Sequence, residues 1–96
     1  MLIIAGYTEV DPAQRDALVS AFHDLLSRCR SAPGCLDCAI TADPIDPGRV
    51  NILERWDTPE NLEAWRAEAN APNPRIPTKN THVKKYTVTD ERDPFD

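Results

Sequence analysis

No apolar run in the 96 residues approaches the ~20 that a membrane-spanning helix requires. The opening Met1-Leu2-Ile3-Ile4-Ala5-Gly6 lacks the basic flank and the length of a secretory leader. A membrane partner is therefore not expected. Basic charge is short as well. Lys and Arg number 11 against 16 Asp and Glu, a net charge of -5, and the longest basic cluster is Lys84-Lys85. Binding nucleic acid through its phosphates needs a basic stripe, so that partner class is excluded too. Cysteine is scarce and odd in number: Cys29, Cys35 and Cys38. Without a leader, this pattern points to reduced thiols and a cytoplasmic location. No internal repeat and no low-complexity tract is present.

What remains is a globular composition, 41% hydrophobic and 28% charged. At 10.7 kDa the chain is one domain. A compact monomer of that mass shows roughly 5,500 Å² to water, against roughly 15,500 Å² for the open chain. The core is sufficient rather than generous, and pairing with a second copy would add buried area. The ordered part is expected over about 1–89, with a solvated acidic tail over 90–96.

Residues 2–9 predict a strand with Leu2, Ile4, Gly6 and Thr8 on one face and Ile3, Ala5, Tyr7 and Glu9 on the other. Both faces are largely apolar, as in a sheet covered on both sides. Asp11-Pro12 opens a helix, because Asp is a good N-cap and Pro at the first position forfeits no needed hydrogen bond. Leu18, Phe22, Leu25 and Cys29, with Val19 and Leu26, form its apolar stripe. Pro33-Gly34 ends it near Ser31. Residues 35–43 and 49–56 predict two strands joined by Asp43-Pro44-Ile45-Asp46-Pro47-Gly48. In the second of these, Val50, Ile52, Glu54 and Trp56 share a face. A buried Glu54 requires a partner, for which an Arg or Lys across the sheet or a dimer is a candidate. Thr58-Pro59 starts another helix that turns Leu62, Trp65 and Ala69 inward and runs to about Asn70. Three prolines exclude a regular element from 71–80. The β-branched stretch 81–89 predicts a last strand.

The order β-α-β-β-α-β is the ferredoxin-like α+β arrangement, an antiparallel sheet with two helices on one face. The Cys35-Leu36-Asp37-Cys38 spacing is that of a thiol-redox motif, but it leads into a strand rather than a helix N-terminus. A four-thiolate metal site is one ligand short, and neither His lies nearby in sequence. Structural cysteines are the simpler reading, with redox or metal chemistry as the alternative. No metal and no cofactor is expected.

Several pieces occur together: Val10-Asp11-Pro12, Ala32-Pro33-Gly34-Cys35-Leu36, Asp43-Pro44-Ile45-Asp46-Pro47, Leu53-Glu54-Arg55-Trp56, and a helix carrying Leu62 and Trp65. In that order they resemble the antibiotic biosynthesis monooxygenase (ABM) domain family of the dimeric α/β-barrel superfamily, over roughly residues 1–70. The resemblance implies a homodimer whose two sheets pack face to face. It further implies a cofactor-independent monooxygenase that oxidises a small aromatic or quinol substrate with O2, in a pocket between sheet and helices. Two other readings stay open: a non-catalytic dimer that binds a small hydrophobic ligand or is stress-associated, and an isomerase or lyase on the same scaffold.

The resemblance also nominates residues. Asn61 and Trp65, one helical turn apart, match an Asn and a Trp that line the family's pocket, although Asn61 also reads as a first-turn residue and Trp65 as core. His82 is the general-base candidate by its ordinary pKa, or simply an exposed histidine. Tyr7, Phe22, Trp56 and Tyr86 are the candidate substrate contacts, and packing explains them equally well. A haem-degrading branch uses Asn, Trp and His. Only Trp65 fits, because Tyr7 and Arg75 fall at the other two positions.

Overall fold

In the computed structural model, which describes residues 1–96, four antiparallel strands form one sheet in the order β2-β3-β1-β4. The strands are β1 (Leu2–Val10), β2 (Cys35–Ala42), β3 (Arg49–Trp56) and β4 (Thr78–Thr87). The helices are α1 (Arg15–Ala21), α2 (His23–Arg30) and α3 (Pro59–Glu68), and a short 3-10 turn over Pro12–Gln14 precedes α1. This is the expected ferredoxin-like α+β arrangement. No helix is long and apolar enough to cross a membrane.

Alternation sorts the side chains as the sequence implies. Leu2, Ile4, Thr8 and Val10 of β1 are buried beneath the helices, with Val50 and Trp56 of β3 beside them. Ile3, Ala5 and Tyr7 lie on the opposite, open face and are half-buried. The interior divides in two. One cluster holds Leu2, Ile4, Cys29, Cys38, Trp56, Leu62 and Trp65. The other holds Val10, Leu18 and Val50, with Phe22, Ile40 and Ile76 against them.

The caps behave as their residue types require. Asp11 accepts a hydrogen bond from the Ala13 N–H at 2.9 Å, and Thr58 Oγ1 accepts one from the Asn61 N–H at 3.2 Å. In the β2–β3 hairpin, Asp43 accepts from the Ile45 and Asp46 N–H groups at 3.0 and 2.8 Å and from the Asn51 amide at 2.9 Å. Those hydrogen bonds, the Asp46 N–H foremost, hold the Asp43 carboxyl down at about 2.

Two elements differ from expectation. The first helix is not continuous. Phe22 (φ −94°, ψ 2°) separates α1 from α2, and its N–H turns back to Val19 O at 3.2 Å. Neither Gly nor Pro marks the break. The last strand begins at Thr78 rather than 81 and ends at Thr87 rather than 89. Pairing with β1 extends it, since Thr78 stands opposite Val10 and Lys79 opposite Glu9, past an irregularity between Tyr7 and Glu9.

Gly6 permits that pairing. A Cβ there would lie 1.8 Å from the His82 carbonyl oxygen and 2.7 Å from Val83 Cα. Gly6→Ala is expected to displace β4 and to destabilise the fold by roughly 3 kcal/mol or more, the upper range of overpacking. A urea melt checks this, and an unchanged midpoint would refute the close approach as a constraint.

Candidate functional site

The register of β2 against β3 sets Cys38 opposite Glu54 on the helix-covered face. Across the interior, α2 brings Cys29 and Leu25 and α3 brings Trp65. Between them lies a void of about 80 Å³, bounded by Leu25, Leu26, Cys29, Cys38, Ile40, Ile52, Glu54 and Trp65. Its lining is apolar except for the thiols and one carboxylate. Within the chain Glu54 takes no Arg or Lys partner across the sheet. Instead the indole N–H of Trp56 donates to its Oε1 at 3.1 Å. Trp56 is fully buried and stacks on Trp65, with ring centroids 6.5 Å apart.

Trp65 has a second side. With Asn61, Ala32, Pro33, Ala64 and Glu68 it lines a surface cleft of about 200 Å³. The indole thus stands between this cleft and the smaller, partly open pocket beside Glu54. The Arg28 guanidinium lies 5.6 Å from the Trp65 ring centroid, within cation–π reach. Asn61 does share the cleft with Trp65, but its amide is engaged, donating to Asp57 Oδ1 at 2.9 Å. That bond holds the Asp57 carboxyl below its ordinary pKa. Asn61 also fills the space under Gly34 (φ +82°), where a Cβ would come within 2.5 Å of its amide nitrogen.

The remaining candidates lie elsewhere. His82 is not at the start of the last strand beside the proline-rich segment. The lengthened β4 puts it opposite Tyr7 on the open face, with the two ring centroids 5.2 Å apart. The sheet therefore separates it from Trp65, and one subunit does not bring His82, Trp65 and Asn61 together. Tyr7 is covered by the Arg49 guanidinium, 3.9 Å from its ring centroid. Tyr86 is exposed on the same face. Phe22 packs in the second cluster, against Val10, Leu18 and Val50, and does not reach the void.

Sequence reasoning missed Glu54, Cys29 and Cys38 as neighbours. The one available signal was that Glu54 shares the face of Val50 and Trp56. Burial pushes all three thiols up: Cys38 to about 11, Cys35 upward, and Cys29 further still. The largest depression, about 560 Å³ beside Val10, Asp11, Pro12, Gln14, Pro77, Thr78 and Lys79, has one apolar residue in its wall. Opening widely to solvent, it is a poor place to desolvate an organic molecule.

Residues 1–71 match the family model described as antibiotic biosynthesis monooxygenase. Solved structures share the fold across nearly the whole chain. A candidate antibiotic biosynthesis monooxygenase from Deinococcus radiodurans superposes with a TM-score of 0.80 at 17% identity, covering 97% of each chain. One from Chloroflexus aurantiacus gives 0.73 at 26% identity, covering 96% of each chain. A protein of Mycobacterium tuberculosis gives 0.68 at 20% identity, covering 96% of this chain and 97% of its own. No curated protein matches.

The thiol environment makes a checkable statement. With Cys38 at about 11, its thiolate fraction at pH 8 is on the order of one in a thousand. In the native protein Cys29 and Cys38 should resist a thiol reagent at pH 8, and the half-buried Cys35 should react first. All three should react rapidly after urea. Rapid modification of all three in the folded state would refute this arrangement.

Proposed function

The chain belongs to the antibiotic biosynthesis monooxygenase family, and from that premise we propose that it oxygenates a small aromatic or quinol substrate with O2, without metal or flavin. The observation that carries this reading is the Trp65 indole, with a half-open cleft on one side and an apolar void bearing a lone carboxylate on the other. Together the two spaces approach the ~300 Å³ at the lower end of small-molecule sites. The void alone is too small for an aromatic ring, which needs ~150 Å³. The ring therefore lies against Trp65, with the indole displaced.

In this reading the substrate hydroxyl points at Glu54, which takes its proton. The resulting anion is electron-rich enough to pass an electron to O2, and the dry apolar wall excludes competing water. One oxygen atom enters the ring in place of hydrogen. The other leaves as water, and all four electrons come from the quinol. Asn61 lines the mouth of the cleft. The Trp56 indole N–H orients Glu54 and so acts as a positioning group. His82, Tyr7 and Tyr86 are assigned to the open face rather than to the chemistry.

A second copy covers that open face in the same proposal. The single chain exposes 6561 Å², well above the roughly 5,500 Å² of a compact monomer of this mass. It is also a slab of 39 × 35 × 19 Å, thin across the sheet. Only 11 of 96 residues are buried, a small core for one subunit to rely on. A reducing, cytoplasmic compartment suits the three free thiols.

Two measurements follow. Chelator-treated protein should consume O2 in the presence of a dihydroxynaphthalene. Glu54→Gln should lower kcat by roughly 100-fold, and Trp65→Phe should lower kcat/KM by about tenfold. Turnover without O2 uptake would support the isomerase or lyase reading, and ligand binding without turnover the non-catalytic one. Sedimentation equilibrium should give twice the 10.7 kDa chain mass. A stable single subunit would remove the dimer.

A further inference from the structure

The three cysteines are far from equivalent in sequence, yet the fold gathers their sulfur atoms with one carboxylate. Cys29 Sγ, Cys38 Sγ and a Glu54 oxygen all lie within 4.8 Å of one another. Cys35 Sγ is 3.9 Å from Cys29 Sγ. A tetrahedral zinc site with ~2.3 Å Zn–S bonds has ligand atoms about 3.8 Å apart, so the atoms of Cys29, Cys38 and Glu54 are spaced near those of one face of such a site, while Cys35 neighbours Cys29 alone. Nothing local in sequence sets a carboxylate beside the thiols, and the cross-strand pairing of Cys38 with Glu54 supplies one.

Three further features point the same way. The void of about 80 Å³ is bounded by Cys29, Cys38 and Glu54, which leaves room for an ion at the donors. Glu54 is a carboxyl side chain on the covered face without a salt-bridge partner in the chain. Its only side-chain hydrogen bond comes from Trp56, which fixes one oxygen and leaves the other free, as outer-shell groups do around metals. Finally, Arg30 is tethered beside the cluster, its Nε donating to the Cys38 carbonyl at 2.8 Å. Its positive charge would offset the excess of negative charge left after a dication meets two thiolates and a carboxylate.

We propose that Cys29, Cys38 and Glu54 form a three-donor binding site for a thiophilic divalent cation of the Zn2+ type. Sulfur donors with one oxygen select such a cation over Mg2+ or Ca2+, which prefer all-oxygen shells. Each coordinating thiol gives up its proton to solvent as the metal enters. The site shares Glu54 with the oxygenase reading but needs no organic substrate to be occupied. It also makes Zn2+ an occupant that competes for the same carboxylate.

Titration of the reduced, chelator-treated full chain with Co2+ tests this, followed by Zn2+ displacement. The expected result is one metal per chain, a thiolate-to-cobalt charge-transfer band, and a rise in Tm with Zn2+. Cys38→Ser should abolish the band. Trp56→Phe, which keeps the ligands and removes the N–H that holds Glu54, should weaken affinity by roughly 10- to 100-fold. Glu54→Gln covers the case in which Cys38→Ser fails to fold, and it too should weaken binding by at least that factor. No band and no Tm shift at saturating metal would overturn the proposal. So would equal affinity in Glu54→Gln and the parent. A Cys29–Cys35 disulfide in air, with no cobalt band after reduction, would overturn it in favour of a redox pair. None of these readouts depends on O2 uptake, so failure here leaves the oxygenase reading standing, and the reverse.

Discussion

β3 lies between β1 and β2, and its hydrogen-bonded register decides which side chains meet beneath the helices. Trp56 stands opposite both Leu2 and Cys35, Glu54 opposite both Ile4 and Cys38, and Val50 opposite both Thr8 and Ala42. A slip of one residue would turn Glu54 and Trp56 outward and bring Arg55 and Leu53 inward. The carboxylate, the indole that holds it and the sulfur atoms beside it are therefore one decision of strand pairing rather than separate placements. The irregularity between Cys35 and Asp37 gives the first thiol its place next to Cys29.

Around that centre, the polar junctions act as a frame. The Asp57 N–H donates to Gly34 O at 3.0 Å, and Asn61 closes the same corner from α3. At the other end, Arg15 donates to the carbonyls of Asp43 and Asp46 at 3.1 and 2.9 Å, tying the helical layer to the hairpin. The Val10 N–H reaches Gly48 O at 2.8 Å and ties the same hairpin to β1. These bonds satisfy backbone groups that would otherwise be left unpaired where the chain changes direction. They leave the middle of the interior to apolar packing, the thiols and Glu54.

Much of this was legible in the residues. Asp11-Pro12 and Thr58-Pro59 each marked a helix start, and period-two alternation put Glu54 and Trp56 on one shared face. What escaped depends on pairs distant in sequence. Nothing local says that Cys38 stands opposite Glu54, because that needs the register of two strands. The early start of β4 at Thr78 is a tertiary effect as well: β1 offers free backbone groups there, and Pro77 leaves the following residues able to take them. The pairing of His82 with Tyr7 turns it to the open face, away from the helical layer. Asn61 was read for its amide, and its amide is in use, but by Asp57 rather than by a guest.

The interruption at Phe22 has a mechanical meaning. Leu18 of α1 is seated on the cluster with Val10 and Val50, whereas Cys29 of α2 is seated on the cluster with Trp56 and Trp65. The helical layer is hence hinged along a seam, each half gripping its own patch of sheet. A substitution that loosens the thiol-bearing half therefore leaves the contacts of Leu18 with Val10 and Val50 in place.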